Sequence, residues 1–303
     1  MKKILVLVLA LAFLLPGCSA KSNLKEYDTG MGLELYLPAG FDKFDSEDFP
    51  YAISNEDNVK LDSAKMVVFV VYEGIDGLKA QGLEYKNIRE YGEAVSGDEQ
   101  IKTTAGVVGD RYIFDYDSED FYYKVVCLQG NEGYYIVNFC CFNDSKELPS
   151  RFDEYAKAIV ITPISGQLDY QTFDNGYFTI DMPYCMKEDE ENIEYYTDYV
   201  DVAFDHYDSE AFESIGYSCP ATEKEAIEVV REYWGDTNLE LLKEGDMYYY
   251  IYQDEEHSDV SVLFTLKKAS DGYLACRGRY YEDMTDMEMP LVVKWFNSIK
   301  VNF

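Results

Sequence analysis

Basic residues are scarce in this chain, and so is the equipment of most catalytic centres. Its 303 residues include only two histidines and two tryptophans, and 26 lysines and arginines face 58 acids. The resulting net charge of −32 repels phosphate backbones and anionic headgroups, which excludes nucleic acid as a partner. A histidine-based triad would need His206 or His257 beside a nucleophile, and no G-x-S-x-G or H-E-x-x-H motif accompanies either. No C-x-x-C pair occurs, so neither a zinc knuckle nor a thioredoxin-like redox site is indicated. Beyond the N-terminus no apolar run is long enough to span a bilayer. Nothing calls for a cofactor.

What is present begins with a leader. Lys2 and Lys3 precede an uncharged apolar stretch from Ile4 to Leu15, well short of the roughly twenty residues a spanning helix needs. The stretch ends in Leu15-Pro16-Gly17-Cys18, which looks like a lipobox, the cleavage and lipidation site of bacterial lipoproteins. This predicts a signal peptide over 1–17, lipid on Cys18 and a polar tether over 18–28. Several acyl chains on one cysteine hold a protein at a membrane stably. The mature chain is thus expected to be extracytoplasmic and lipid-anchored to the bacterial cell membrane. Its expected partners are membrane lipid through Cys18 and another extracytoplasmic protein or a cell-envelope component.

The remainder reads twice, at an interval of about 140 residues. Each copy opens with a glycine, an alternating strand and a proline: Gly32 to Pro38, then Gly176 to Pro183. A second strand follows. Met66 to Tyr72 is almost wholly apolar and should be central, whereas Tyr199 to Tyr207 alternates and should have one wet face. Next comes a helix: Tyr85 to Val95 in the first copy, and in the second a helix opened by a Thr222–Glu225 capping box. Ala226, Ile227, Val230 and Tyr233-Trp234 form the expected inner stripe of that second helix, with Gly235 ending it. Three strands then follow in each copy: Asp110 to Tyr116, Phe121 to Gln129 and Tyr134 to Phe142, then Met247 to Gln253, Val260 to Lys267 and Tyr273 to Tyr281. Each copy closes with a helix introduced by Pro149 or Pro290, where proline suits a first turn.

Strand, helix, three strands and helix in the same order twice predict an α+β chain: two tandem copies of an antiparallel sheet flanked by helices. The expected domains are 29–162 and 173–303, joined by a linker over 163–172. Each copy resembles the PsbP-like fold, an α/β/α sandwich. The resemblance rests on the opening strand with Pro38 or Pro183 and on the closing helix, especially Trp295-Phe296-Asn297-Ser298-Ile299. It implies a binding or assembly factor without catalytic residues, and supplies no site to carry over.

Acids are too numerous for any one pair to mark a glycosidase. Asp115, Asp117 and Glu119 stand at alternate positions, as in oxygen-ligand loops, and are the metal candidates. The glycine and the closing glutamate of a calcium loop are missing, with Val126 in the latter place. The run Glu188 to Glu194 reads as a solvated loop. Besides Cys18 there are six cysteines, expected as buried free thiols, with Cys140 and Cys141 pointing to opposite faces of a strand. Among 29 tyrosines the doublets, such as Tyr122-Tyr123 and Tyr280-Tyr281, must each turn one ring away from the core. The sequence favours a non-catalytic binding or assembly module. A cell-surface glycan hydrolase working through carboxylates and a carrier of a small solute or cation are the alternatives.

Overall fold

The computed structural model describes residues 24–55, 66–97, 105–142, 148–164, 168–189, 193–235 and 237–302. The leader, the lipobox and Cys18 lie outside the described residues. The chain divides into two compact units. The first comprises the chain up to Glu73 together with Tyr85–Leu168; the second comprises Gly74–Glu84 together with Asp169–Phe303.

Each unit is built on a seven-stranded antiparallel sheet. In the first the spatial order is Asp42–Lys43, Tyr51–Ser54, Val67–Gly74, Gly133–Phe142, Phe121–Gln129, Arg111–Asp117 and Gly106–Val108. In the second it is Lys187–Asp189, Glu194–Tyr196, Val200–Asp208, Gly272–Tyr281, Val260–Lys268, Met247–Gln253 and Leu242–Glu244. The two orders are the same, as the repeated sequence pattern predicts. The apolar strand Val67–Gly74 is third of seven and buried at its start on both faces, whereas Val200–Asp208 alternates.

The opening strands do not join these sheets. Leu33–Leu37 pairs with Lys25–Asp28 and Val160–Ile161, and Phe178–Pro183 pairs with Tyr170–Asp174 and Lys300–Val301. Both form separate three-stranded sheets. The sequence places Lys25–Asp28 in the tether and part of Tyr170–Asp174 in the linker; both are short, and their pairing with Leu33–Leu37 and Phe178–Pro183 makes them strands.

Helices cover both faces. In the first unit Leu148–Ala158 lays Phe152, Tyr155 and Ala156 against Leu33, Leu35, Val126 and Phe139. On the other face Ile88–Ser96, capped by the Asn87 side chain, stacks Tyr91 on Tyr134 at 4.1 Å. That helix approaches the sheet so closely that a Cβ on Gly92 would lie 2.2 Å from the Tyr112 ring. In the second unit Thr285–Ser298 buries Leu291, Val292, Trp295 and Phe296 among Phe178, Val202, Phe204 and Cys276. The opposite face carries Ser209–Ser214 and Glu223–Tyr233 over Tyr250, Phe264 and Tyr273. The Thr222–Glu225 capping box forms as expected.

Residues 74–84 complete the second unit. Ala80 is fully buried in its core beside Phe178 and Met182. Asp76, in the short helix Ile75–Lys79, accepts hydrogen bonds from the Tyr170 hydroxyl at 2.8 Å and from the Lys294 ammonium. The Asp169 carboxylate accepts from the Gly77 N–H at 3.2 Å, and burial pushes that carboxyl's pKa up.

Two sequence expectations fail for local reasons. Pro290 is not in the first turn, because the helix already begins at Thr285. The hydrogen bond it cannot donate would go to the carbonyl of Asp286, an exposed residue that water can serve. Tyr233 and Trp234 are not on the buried stripe: they are 55% and 42% exposed. Trp234 is the C-cap, and Gly235 at φ +82° turns the chain away.

Candidate functional site

Three loops of the second unit meet at one end of its large sheet. The first is the turn before strand Val200–Asp208. Thr197 N–H donates to the Val200 carbonyl at 2.8 Å, and its hydroxyl oxygen accepts from the Tyr199 and Val200 N–H groups at 3.1 and 3.2 Å. This fixes Asp198 and Tyr199 on the rim. The second is the hairpin tip between Gln253 and Val260. Asp254 accepts from the N–H groups of Glu256 and His257 at 2.9 and 3.0 Å. Desolvation opposes its charge, yet these bonds hold its carboxyl below the usual range. The third loop follows Tyr281, where the Glu282 N–H donates to the Asp259 carbonyl at 2.8 Å.

Between them lies a cleft of about 340 Å³, flanked by a second depression of about 610 Å³ that shares Tyr199, Asp259 and Tyr281. Tyr199 and Tyr281 are about 40% exposed, at 39% and 40%. Five acids line the two parts: Asp198, Asp201, Asp259, Glu282 and Asp283. The guanidinium of Arg279 is committed, with Nε donating to Asp201 and Nη2 to Glu194, both at 2.8 Å. Burial pushes the Asp201 pKa up and the Arg279 bonds pull it back. The other four carboxylates are exposed and no cation is paired with them among the described residues. The Thr197 hydroxyl donates to the Ala80 carbonyl at 2.5 Å, so the cleft's one hydroxyl of nucleophilic type is already engaged. Carboxylates and tyrosine rings around a concavity can hold an ammonium or guanidinium group.

Behind the cleft lies a buried polar pair. Tyr280 lines the cleft and is 1% exposed; Glu288, in the first turn of the last helix, is 0% exposed. The Tyr280 hydroxyl and both Glu288 carboxylate oxygens have no hydrogen-bond partner among the described residues. Burial, reinforced by Asp283 and opposed by the Tyr281 backbone, pushes the Glu288 pKa up to about 8.

The metal candidates marked by sequence lie elsewhere. Asp115 and Asp117 fall on strand Arg111–Asp117 and Glu119 in the turn that follows. Asp115 accepts from the Tyr122 hydroxyl at 2.9 Å, and no group of three or more metal-ligating side chains is assembled among the described residues. His206 sits 3.1 Å from Asp271, both in a separate depression, and His257 lines the cleft. Cys127, Cys140 and Cys276 are buried free thiols, and Cys185 and Cys219 are free but only partly buried; Cys140 and Cys141 point to opposite faces. Tyr280-Tyr281 splits as expected, 1% against 40% exposed, but Tyr134 and Tyr135 are both buried at 2%, and Tyr122 and Tyr123 each pack on a core cluster, Tyr123 stacking on Tyr116 at 4.6 Å, because both faces of the sheet are covered. In the sequence Tyr199 is legible only as a strand end, and Tyr281 as a strand end and one half of a doublet. Each sits beside an acid where apolar alternation stops, and pairing Tyr199 with Tyr281 required the three-dimensional arrangement.

No protein family matches the chain, and no curated protein does. Among solved structures it is similar to the cyanobacterial PsbP protein CyanoP from Synechocystis, at 17% identity over 48% of this chain and 96% of that one, TM-score 0.30. It is similar to LpqN of Mycobacterium tuberculosis, described as involved in cell envelope biogenesis, at 13% identity over 47% of this chain and 93% of that one, TM-score 0.27. It is also similar to the immunity protein TplEi of Pseudomonas aeruginosa, solved with a peptide, at 10% identity over 93% of this chain and 99% of that one, TM-score 0.22. The two seven-stranded antiparallel sheets, each with its flanking helices, make two tandem α+β units.

Proposed function

We propose that this chain is a membrane-anchored extracytoplasmic lipoprotein that acts as a non-catalytic binding or assembly module, and that the cleft of the second unit holds a cationic group of its partner. The observation that carries the reading is the pairing of Tyr199 and Tyr281 with four carboxylates not tied to any cation among the described residues. The partner is another extracytoplasmic protein, or an envelope component, that presents amino or guanidino groups. A glycan hydrolase is disfavoured, because the half-buried acid of the cleft, Asp201, is bonded to Arg279 and is not free to protonate a leaving group. The anchor is supported by the charged and apolar leader and its Leu15-Pro16-Gly17-Cys18 terminus. No helix among the described residues is long and apolar enough to cross a membrane.

Calorimetric titration of the full chain with spermine, at about 0.15 M salt so that loose surface attraction is screened, tests the cleft. Replacing both Tyr199 and Tyr281 with serine is expected to weaken binding about tenfold, as loss of two ring–cation contacts implies. Equal affinity in the double variant, or no binding to the parent, counts against the reading. Separately, cells expressing the chain should incorporate labelled palmitate into it, and Cys18→Ser should abolish the label and release the protein from the membrane fraction. A labelled Cys18→Ser chain would refute the anchor.

A further inference from the structure

The exposed ends of helix Glu223–Tyr233 border a second concavity. Between this helix and Ser209–Ser214 lies a notch of about 180 Å³ lined by Tyr207, Phe212, Ile215, Val230, Tyr233 and Trp234. That volume is close to the roughly 150 Å³ of a cavity that takes one benzene, so it suits one branched or aromatic side chain. Its floor is finished core: Phe212 and Val230 are 1% and 2% exposed. Its lip is Tyr233 and Trp234, large rings left 55% and 42% exposed, of the residue types that dominate binding hot spots. Trp234 is braced from below by Phe264, edge-on at 5.2 Å, so it presents a fixed face.

The two helices that flank this apolar notch are acidic. The two helices carry six glutamates against Lys224 and Arg231. Lys224 is paired with Glu228 at 3.8 Å, and the Arg231 guanidinium donates to the Leu239 carbonyl at 2.6 Å. Glu225 is used in the capping box, and Glu223 accepts from the Lys268 N–H at 2.8 Å. Glu210, Glu213 and Glu232 remain on the two helices with no basic side chain paired to them among the described residues. Glu232 reaches across towards the loop after the first helix: desolvation and then its carboxylate raise the Tyr217 pKa.

We propose that this notch docks a basic amphipathic segment of a partner protein, one apolar side chain entering between Phe212 and Trp234 while flanking lysines or arginines meet Glu210, Glu213 and Glu232. The charge pattern selects this occupant. An anionic membrane would face the same acids and be repelled. The site is separate in residues from the cation-binding cleft, so either can fail without the other.

Trp234 provides the readout, since the chain's other tryptophan, Trp295, is 0% exposed. The full chain is titrated, at about 0.15 M salt, with an idealised leucine–lysine helical peptide. A scrambled peptide of the same composition without an apolar face serves as the control. A saturable blue shift of tryptophan emission is expected with the first peptide only. With fluorescein-labelled peptide and anisotropy detection, Tyr233→Ser and Trp234→Ser should each weaken binding at least tenfold, whereas the Tyr199→Ser/Tyr281→Ser variant should bind as the parent does. Equal binding of the scrambled peptide, or of the Trp234→Ser variant, overturns the proposal. So does a larger emission shift with phosphatidylcholine vesicles than with the peptide, which would make the notch a lipid contact.

Discussion

Trp295→Ala should cost the protein about 3–5 kcal/mol of folding stability, the range for emptying a buried aromatic site. Trp295 is 0% exposed in the core of the second unit, and its loss is not only a matter of volume. Its Nε1 donates to the Tyr170 hydroxyl at 3.1 Å, and that hydroxyl donates to Asp76 at 2.8 Å. Truncation removes the first donor of this chain, and a half-satisfied buried network adds to the cavity term. Tyr184→Ala is the natural control, because a surface substitution at a 61% exposed site should stay within about 0.5 kcal/mol. Urea unfolding followed by far-ultraviolet dichroism compares the two, with slopes checked so that midpoints report stability. A loss below about 1 kcal/mol for Trp295→Ala would mean that the helix Thr285–Ser298 does not anchor this core as described.

Glu288→Gln should flatten the pH dependence of stability and make the variant more stable than the parent at mildly alkaline pH. The Glu288 carboxyl has an ordinary value near 4.5 and is raised to about 8 in the fold, by burial first and by Asp283 second. The folded state therefore keeps a proton that the unfolded state releases. The stabilisation from that proton is fully present below about pH 4.5 and falls away as pH rises to about 8. Above that, folding must bury a carboxylate whose two oxygens have no hydrogen-bond partner among the described residues. Glutamine has the same shape and no charge to expel. The difference at the alkaline end should be about 1–3 kcal/mol in favour of the variant, the usual penalty of an unsatisfied buried polar group. Urea midpoints at about pH 5 and pH 8.5 decide the matter: parallel losses in parent and variant would show that Glu288 is not the group being titrated. A neutral glutamic acid also explains why the pair with Tyr280 is tolerated in an apolar core at all.

The repeat was legible because it is written in alternation and in turn chemistry, which act within a few residues. Phe121 to Gln129 and Met247 to Gln253 are strands over those very bounds. The Thr222–Glu225 box starts its helix where the spacing said it should. Expectations that depended on distant partners fared less well. Lys25–Asp28 has no strand signal of its own and exists through Leu33–Leu37. The helix expected from Tyr85 starts later, at Ile88, since the Asn87 side chain caps it. Tyr233 and Trp234 fit a buried stripe by spacing, but a stripe needs a helix that continues, and Gly235 ends it. The cleft was invisible for a plainer reason. Its acids and tyrosines come from three loops, and among 58 acids and 29 tyrosines no local spacing marks the few that converge.

The capture of residues 74–84 by the second unit bears on the order in which this protein is made. Synthesis runs from the N-terminus and domains tend to fold as they emerge. Here Ala80 emerges long before Thr197, whose hydroxyl its carbonyl will accept from across 117 positions of sequence. The first repeat must therefore hold this short stretch in waiting, its Ala80 methyl wet, until the second has been translated. A chain stalled at the boundary between the repeats would expose it, and a chaperone that recognises apolar segments would find it there.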